Sequence, residues 1–168
     1  LVVCPASVLH NWRREAEKFV PDLKVLVLES GAARHNLRKQ IPEHDIIVTN
    51  YALLRRDLEE LNKFAFRAVI LDEAQFIKSP GARGTQSVKQ LKSEHRLALT
   101  GTPLENRLLD LWSIVDFIQP GYLGTQEHFL ETYEPKGGAD VENTQRIARR
   151  QLSAKLRPLL LRRLKKHV

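Results

Sequence analysis

The sequence predicts an α/β domain with a mostly parallel sheet, followed by a helical C-terminal part. Three observations point there. Short apolar runs alternate with helix-spaced segments over roughly the first hundred residues, each run ends in polar or hydroxyl side chains, and helical spacing alone continues afterwards. With 168 residues, 42 % of them hydrophobic, the chain has the length of one domain and enough apolar surface for a core.

Val2 and Val3 open as a strand. Ser7 begins a turn into Val8, Leu9, Trp12, Ala16 and Phe19, which recur at helical spacing up to Pro21. Residues 25–28 read as a second strand, 32–40 as a polar helix, 46–49 as a third strand and 52–61 as a helix. Residues 68–71 and 96–99 are two further strands, with a helix over 86–92 between them. Thr102-Pro103-Leu104-Glu105 has the form of a capping box with proline at the first helical position. Leu108, Leu111, Trp112, Val115 and Phe117 then predict a helix that Gln119-Pro120-Gly121 stops. A helix over 125–133, a loop over 135–140 and a basic helix over 144–156 complete the chain. The boundary between the sheet-bearing part, 1–118, and the helical remainder, 119–168, is expected at that stop.

The net charge of +7 is unevenly placed. Residues 143–168 hold nine Lys and Arg and no acid, leaving eighteen basic against twenty acidic residues, a net of −2, in residues 1–142. A basic tail suits nucleic acid, and a solvated helix face gives the same count. One cysteine excludes an internal disulfide and a thiolate metal cluster, and Cys4 reads as a buried strand residue. The six histidines lack ligand-like spacing, so no metal site made of protein side chains alone is expected. No apolar run has the length of a membrane span and the first residues lack the pattern of a secretory leader, so no membrane partner is expected.

In parallel sheets, ligands bind off the carboxyl ends of the strands, and the unusual residues of this sequence stand there. Asp72 and Glu73 follow the apolar run 68–71. Charges at the end of a buried strand need solvent, a basic partner or a metal ion. In nucleotide hydrolases such an Asp holds magnesium and a neighbouring Glu serves as general base for water; two solvated acids starting a turn is the plainer alternative. Thr100, Gly101 and Thr102 end another strand with hydroxyls and free N–H groups, suited to a phosphate or equally to a helix cap. Ser7, Thr49 and Asn50 are phosphate contacts or caps by the same chemistry. Trp12 and Trp112 read as core anchors in preference to base-stacking platforms.

Taken in order, Val3-Cys4-Pro5-Ala6-Ser7-Val8-Leu9-His10-Asn11-Trp12, Val48-Thr49-Asn50-Tyr51, Leu71-Asp72-Glu73-Ala74-Gln75 and Leu99-Thr100-Gly101-Thr102-Pro103 resemble helicase motifs Ia, Ib, II and III. Leu104-Glu105-Asn106 with Leu111-Trp112-Ser113 and Asp116-Phe117, then Pro120-Gly121-Tyr122-Leu123-Gly124, and the close Leu156-Arg157-Pro158-Leu159-Leu160-Leu161-Arg162-Arg163 with Lys165 resemble the Swi/Snf branch of superfamily 2 in particular. The resemblance implies a RecA-like three-layer lobe of a motor that uses ATP and Mg²⁺ to track along double-stranded DNA, remodelling or displacing DNA-bound proteins. By position, Asp72 would coordinate Mg²⁺ through ATP and Glu73 would activate water. Gln75 would couple nucleotide state to movement, and Thr100, Gly101 and Thr102 would link the phosphate and DNA sites. Ser7, Thr49 and Asn50 would lie near the phosphates of one DNA strand. Gln at the fourth position of motif II, where many relatives have His, suggests a prokaryotic member. The expected location is then the cytoplasm, at the nucleoid, or the nucleus if the source is eukaryotic.

No Gly-x-x-x-x-Gly-Lys-[Ser/Thr] occurs in the sequence. The phosphate-gripping Lys is therefore expected upstream of residue 1, and a second RecA-like lobe with its arginine finger beyond Val168. By itself this chain is expected not to hydrolyse ATP, and its sheet to show an unpaired edge and exposed apolar surface. Two alternatives stand beside the translocase: another superfamily 2 helicase lobe, and a non-catalytic interaction module that keeps a motor lobe's fold.

Overall fold

The computed structural model describes residues 1–102, 107–137 and 140–163. Five strands, β1 (Val2–Cys4), β2 (Val25–Val27), β3 (Ile46–Asn50), β4 (Phe66–Leu71) and β5 (Ser93–Ala98), form one sheet in the order β2-β3-β1-β4-β5. Every pairing is parallel, so the sheet is parallel throughout. Central β1 aligns Val2 with Val48 on one side and with Ile70 on the other. Its residues are apolar and buried on both faces, as a strand flanked by two neighbours and covered by helices requires.

Helix α1 (Leu9–Phe19), entered through a 3₁₀ turn at Ala6–Val8, turns Leu9 and Ala16 inward. It covers one face of the sheet, where Val2, Cys4, Val27 and Val48 cluster with Leu9 and Trp12. On the opposite face α3 (Tyr51–Leu61), α4 (Arg83–Lys89) and α5 (Leu108–Ile118) bury Leu54, Leu61, Val88, Ile114 and Phe117 against Val3, Ile47, Val69 and Leu71. That is the expected layering of helices on both faces of a parallel sheet. The short α2 (Arg34–Lys39) is bound to α3 by ion pairs from Arg34 and Arg38 to the buried Asp57.

Two element boundaries differ from expectation. The helix foreseen over 86–92 runs three residues earlier, over Arg83–Lys89, and Leu91 is buried just past its end. The capping box falls largely on 103–106, outside the described residues. Helix α5 starts at Leu108 with Arg107 as its N-cap and no side-chain cap bond, so Thr102 is not the cap of that helix. What secures α5 is tertiary contact. Ser113 Oγ donates to the Ile77 carbonyl at 2.6 Å, Lys89 Nζ pairs with Asp116 at 2.8 Å, and Arg96 donates to the Phe117, Lys89 and Leu91 carbonyls. A guanidinium on the orphan carbonyls of two helix ends satisfies acceptors that the helices cannot. The Leu111-Trp112-Ser113 and Asp116-Phe117 segments thus read physically as the clamp that fixes α5.

The chain divides into two compact units after Tyr122. In the second, α6 (Gln126–Tyr133) is capped by Thr125, and α7 (Val141–Leu156) by Asp140. Helix α7 buries Ala148, Leu152 and Leu156 at i, i+4, i+8 and exposes Arg146, Arg149 and Arg150.

Candidate functional site

Neighbours β1 and β4 send their following segments to opposite sides of the sheet, β1 toward β2 and β4 toward β5. Such a switch point opens a crevice beyond the strand ends. Asp72 stands there, one residue past β4. Its backbone N–H extends the ladder to the Val3 carbonyl at 2.8 Å. Both carboxylate oxygens accept a hydrogen bond: Oδ1 from the Glu73 backbone N–H and Oδ2 from Trp12 Nε1, each at 2.9 Å. The Asp72 carbonyl accepts from the Tyr51 hydroxyl at 2.6 Å.

Glu73 is the single non-glycine residue with positive φ among the described residues, at φ 51 and ψ 54. A left-handed Glu costs on the order of 1 kcal/mol and is held only by its surroundings. Here those surroundings form a side-chain chain. Thr100 Oγ1 donates to Gln75 Oε1 at 2.7 Å, which directs the Gln75 amide N–H to Glu73 Oε2 at 2.5 Å. The Ala74 N–H bonds the Leu99 carbonyl at 2.8 Å, joining the two strand-end turns through the backbone as well. Thr102 closes the second turn by donating its N–H to Thr100 Oγ1 at 3.1 Å. Gly101 is exposed, and a side chain there would meet nothing within 4 Å.

Asp72, Glu73, Gln75 and the turn of Thr100, Gly101 and Thr102 are therefore brought together. The remaining three expected residues behave differently. Ser7 is exposed on the 3₁₀ turn after β1. Asn50 spends its side chain as the N-cap of α3, accepting from the Leu53 N–H at 2.9 Å. Thr49, expected beside a DNA phosphate, is fully buried within β3. Its alternation with Val48 turns the hydroxyl into the sheet's packed face, away from any backbone that could lie on the surface.

Neither Asp72 nor Glu73 has a Lys, Arg or His at ion-pair distance among the described residues. Their field is felt nearby. Burial and then the Asp72 charge push the Cys4 thiol up to about 11, and the Tyr51 hydroxyl is raised by burial and by Asp72, Cys4 and Glu73 in turn. Two half-buried carboxylates without a cation, each with lone pairs left over, form a hard oxygen donor set that fits Mg²⁺.

The SNF2-related domain family matches residues 1–168, the whole chain. The chain belongs to this family. A TATA-binding protein-associated factor, BTAF1, of Arabidopsis thaliana is 38 % identical over the full chain, which covers 9 % of that protein. An uncharacterized ATP-dependent helicase of Mycoplasma genitalium, MG018, is 35 % identical, again over the full chain and 16 % of its own length. Among solved structures, the Sulfolobus solfataricus SWI2/SNF2 ATPase core in complex with double-stranded DNA superposes with a TM-score of 0.84 at 40 % identity. That match covers 96 % of this chain and 33 % of the archaeal one. The parallel sheet and its flanking helices are thus the RecA-like fold of an SNF2 core, and this chain spans about a third or less of its relatives.

Sequence reasoning missed Trp12 and Tyr51 as parts of the site. Both were visible only as a helix-face aromatic and a motif residue. Their hydrogen bonds to Asp72 bridge 60 and 21 positions and follow from the sheet order alone.

Proposed function

We propose that the chain forms part of the first RecA-like lobe of an ATP-dependent double-stranded-DNA translocase of the Swi/Snf type, which remodels or displaces DNA-bound proteins. The observation that supports this best is the continuous linkage Thr100–Gln75–Glu73 beside Asp72 at the carboxyl edge of the sheet. Asp72 is the carboxylate for Mg²⁺ through ATP. When bound, that ion neutralises charge on the terminal phosphate oxygens. Glu73 orients and deprotonates the attacking water, from a left-handed backbone whose N–H bonds the Asp72 carboxylate. Gln75 sets the direction of the Glu73 carboxylate, and Thr100 sets that of Gln75. A shift of the 100–102 turn therefore reaches the general base through two hydrogen bonds. Ser7 and the exposed turn around it suit one strand's phosphates; Asn50 contributes by fixing the start of α3. The archaeal relative's double-stranded DNA favours a duplex as the track. The second lobe of the parent chain completes the site, and the protein works wherever its DNA lies, nucleoid or nucleus.

In the full-length protein, Glu73→Gln should lower DNA-stimulated ATP turnover by at least about a hundredfold while leaving nucleotide affinity within a few fold. Retained turnover would remove Glu73 from this role. Residues 1–168 alone should show no turnover in the same assay.

A further inference from the structure

We propose that Trp12 is a positioning residue for Asp72, its indole N–H holding the carboxylate in the one orientation that receives the divalent cation; this rests on the functional reading above. The chemistry of the contact singles it out. Trp12 is half-buried on the inward stripe of α1, between Leu9 and Ala16, where any apolar ring would fill the space. Its N–H points at Asp72 Oδ2 from 2.9 Å, across 60 residues of sequence. An N–H donated to an ionised acceptor is stronger and more directional than one donated to a neutral group, and a donor-only ring cannot compete for the metal as a charged lysine would.

Asp72 is held at two further points. The Glu73 N–H takes Oδ1, and the Tyr51 hydroxyl takes the main-chain carbonyl. Tyr51 is itself braced by a parallel stack on Phe76, with ring centroids 4.8 Å apart. Side chain and backbone of the proposed metal ligand are thus fixed from two different helices. Trp12 lies on α1, which follows the Ala6–Val8 turn, and Tyr51 is the first residue of α3, directly after Asn50. Partners that orient a metal ligand in this way typically change metal affinity ten- to a hundredfold when removed. They do so without touching metal or substrate.

The test is the Mg²⁺ dependence of fluorescent-ADP binding to the full-length protein, without DNA, for wild type and Trp12→Phe. Phenylalanine keeps the ring and removes the donor. The half-saturating Mg²⁺ concentration should rise about tenfold, with the melting temperature and the Mg²⁺-free nucleotide affinity unchanged. Placed on an Asp72→Asn background, Trp12→Phe should add nothing, because the two side chains act through one bond. An unchanged midpoint in Trp12→Phe, a loss of metal-free and metal-bound affinity together, or a further shift on the Asp72→Asn background would each overturn the assignment. If Trp12→Phe does not fold, replacing Trp12 by 3-benzothienylalanine decides: it keeps the bicyclic shape and removes only the N–H donated to Asp72 Oδ2, and must raise the midpoint in the same way. A wild-type protein whose nucleotide binding ignores Mg²⁺ overturns the functional reading and this assignment with it, whereas a normal wild-type midpoint with an unaffected variant overturns the assignment alone.

Discussion

Cys4 shows how closely the site's charge reaches into the sheet. It is fully buried on β1, donates weakly to the Thr49 carbonyl at 3.6 Å, and has a pKa raised to about 11 by burial first and Asp72 second. The thiol therefore stays protonated at neutral pH and should react with a disulfide reagent only as fast as the protein opens around it. Because the folded value lies above the ordinary 9.0, the native state holds its proton where the unfolded state has lost it. The stability this contributes is complete below pH 9 and is lost as pH rises toward 11, with Tyr51 adding in the same direction. Thermal melts between pH 8 and 11 should fall, and fall less in Cys4→Ala. That Cys4 is a buried strand residue was legible from its place between Val3 and Pro5. The second role of Trp12 was not. Spacing puts Trp12 on the inward face of a helix, but nothing local says that β1 and β4 are neighbours, which is what delivers Asp72 to it.

At the scale of elements, periodicity located strands and helices well wherever a buried face was regular, as in α1 and α3. It failed where an apolar residue outlived its helix. Leu91 belongs to the core yet follows the end of α4, so its hydrophobicity drew the expected helix three residues too far. Helix α2 is a different case, because none of its six residues is fully buried and only Leu37 packs, in part, against the core. Ion pairs do most of the holding: Arg38 reaches Asp57 at 2.5 Å and the His35 ring at 2.5 Å, and Arg34 Nε lies 3.3 Å from the same carboxylate. Asp57 itself is buried on α3. Removing one partner of a buried ion cluster leaves uncompensated charge and costs about 3 kcal/mol. Asp57→Ala should therefore lower amide-exchange protection across residues 34–61 by roughly a hundredfold, with little change in β4. Unchanged protection in α2 would mean that the ion pairs only decorate a helix held by something else.

At the scale of the whole molecule the parallel sheet ends abruptly at β5. Among the described residues nothing pairs the outer edge of that six-residue strand. On the face that α1 covers over β1 and β3, Leu97 is 49 % and Leu99 38 % exposed. A six-residue, partly apolar edge without a proline, whose inward charge Arg96 is spent on the Phe117, Lys89 and Leu91 carbonyls, is a template for another chain. The archaeal core, three times the length of the matched region, has ample further chain for covering such an edge. Residues 1–168 produced alone should accordingly self-associate, sedimenting as a concentration-dependent mixture at on the order of 100 μM. Leu97→Lys should return it to monomer, since a lysine there makes stacking a second copy onto the edge bring two charges together while its long stem reaches solvent without disturbing β4. A wild-type chain that stays monomeric at that concentration would show that β5 is protected by its own twist and by the polar residues Ser93, Glu94 and His95, and that the exposed leucines are too few to nucleate pairing.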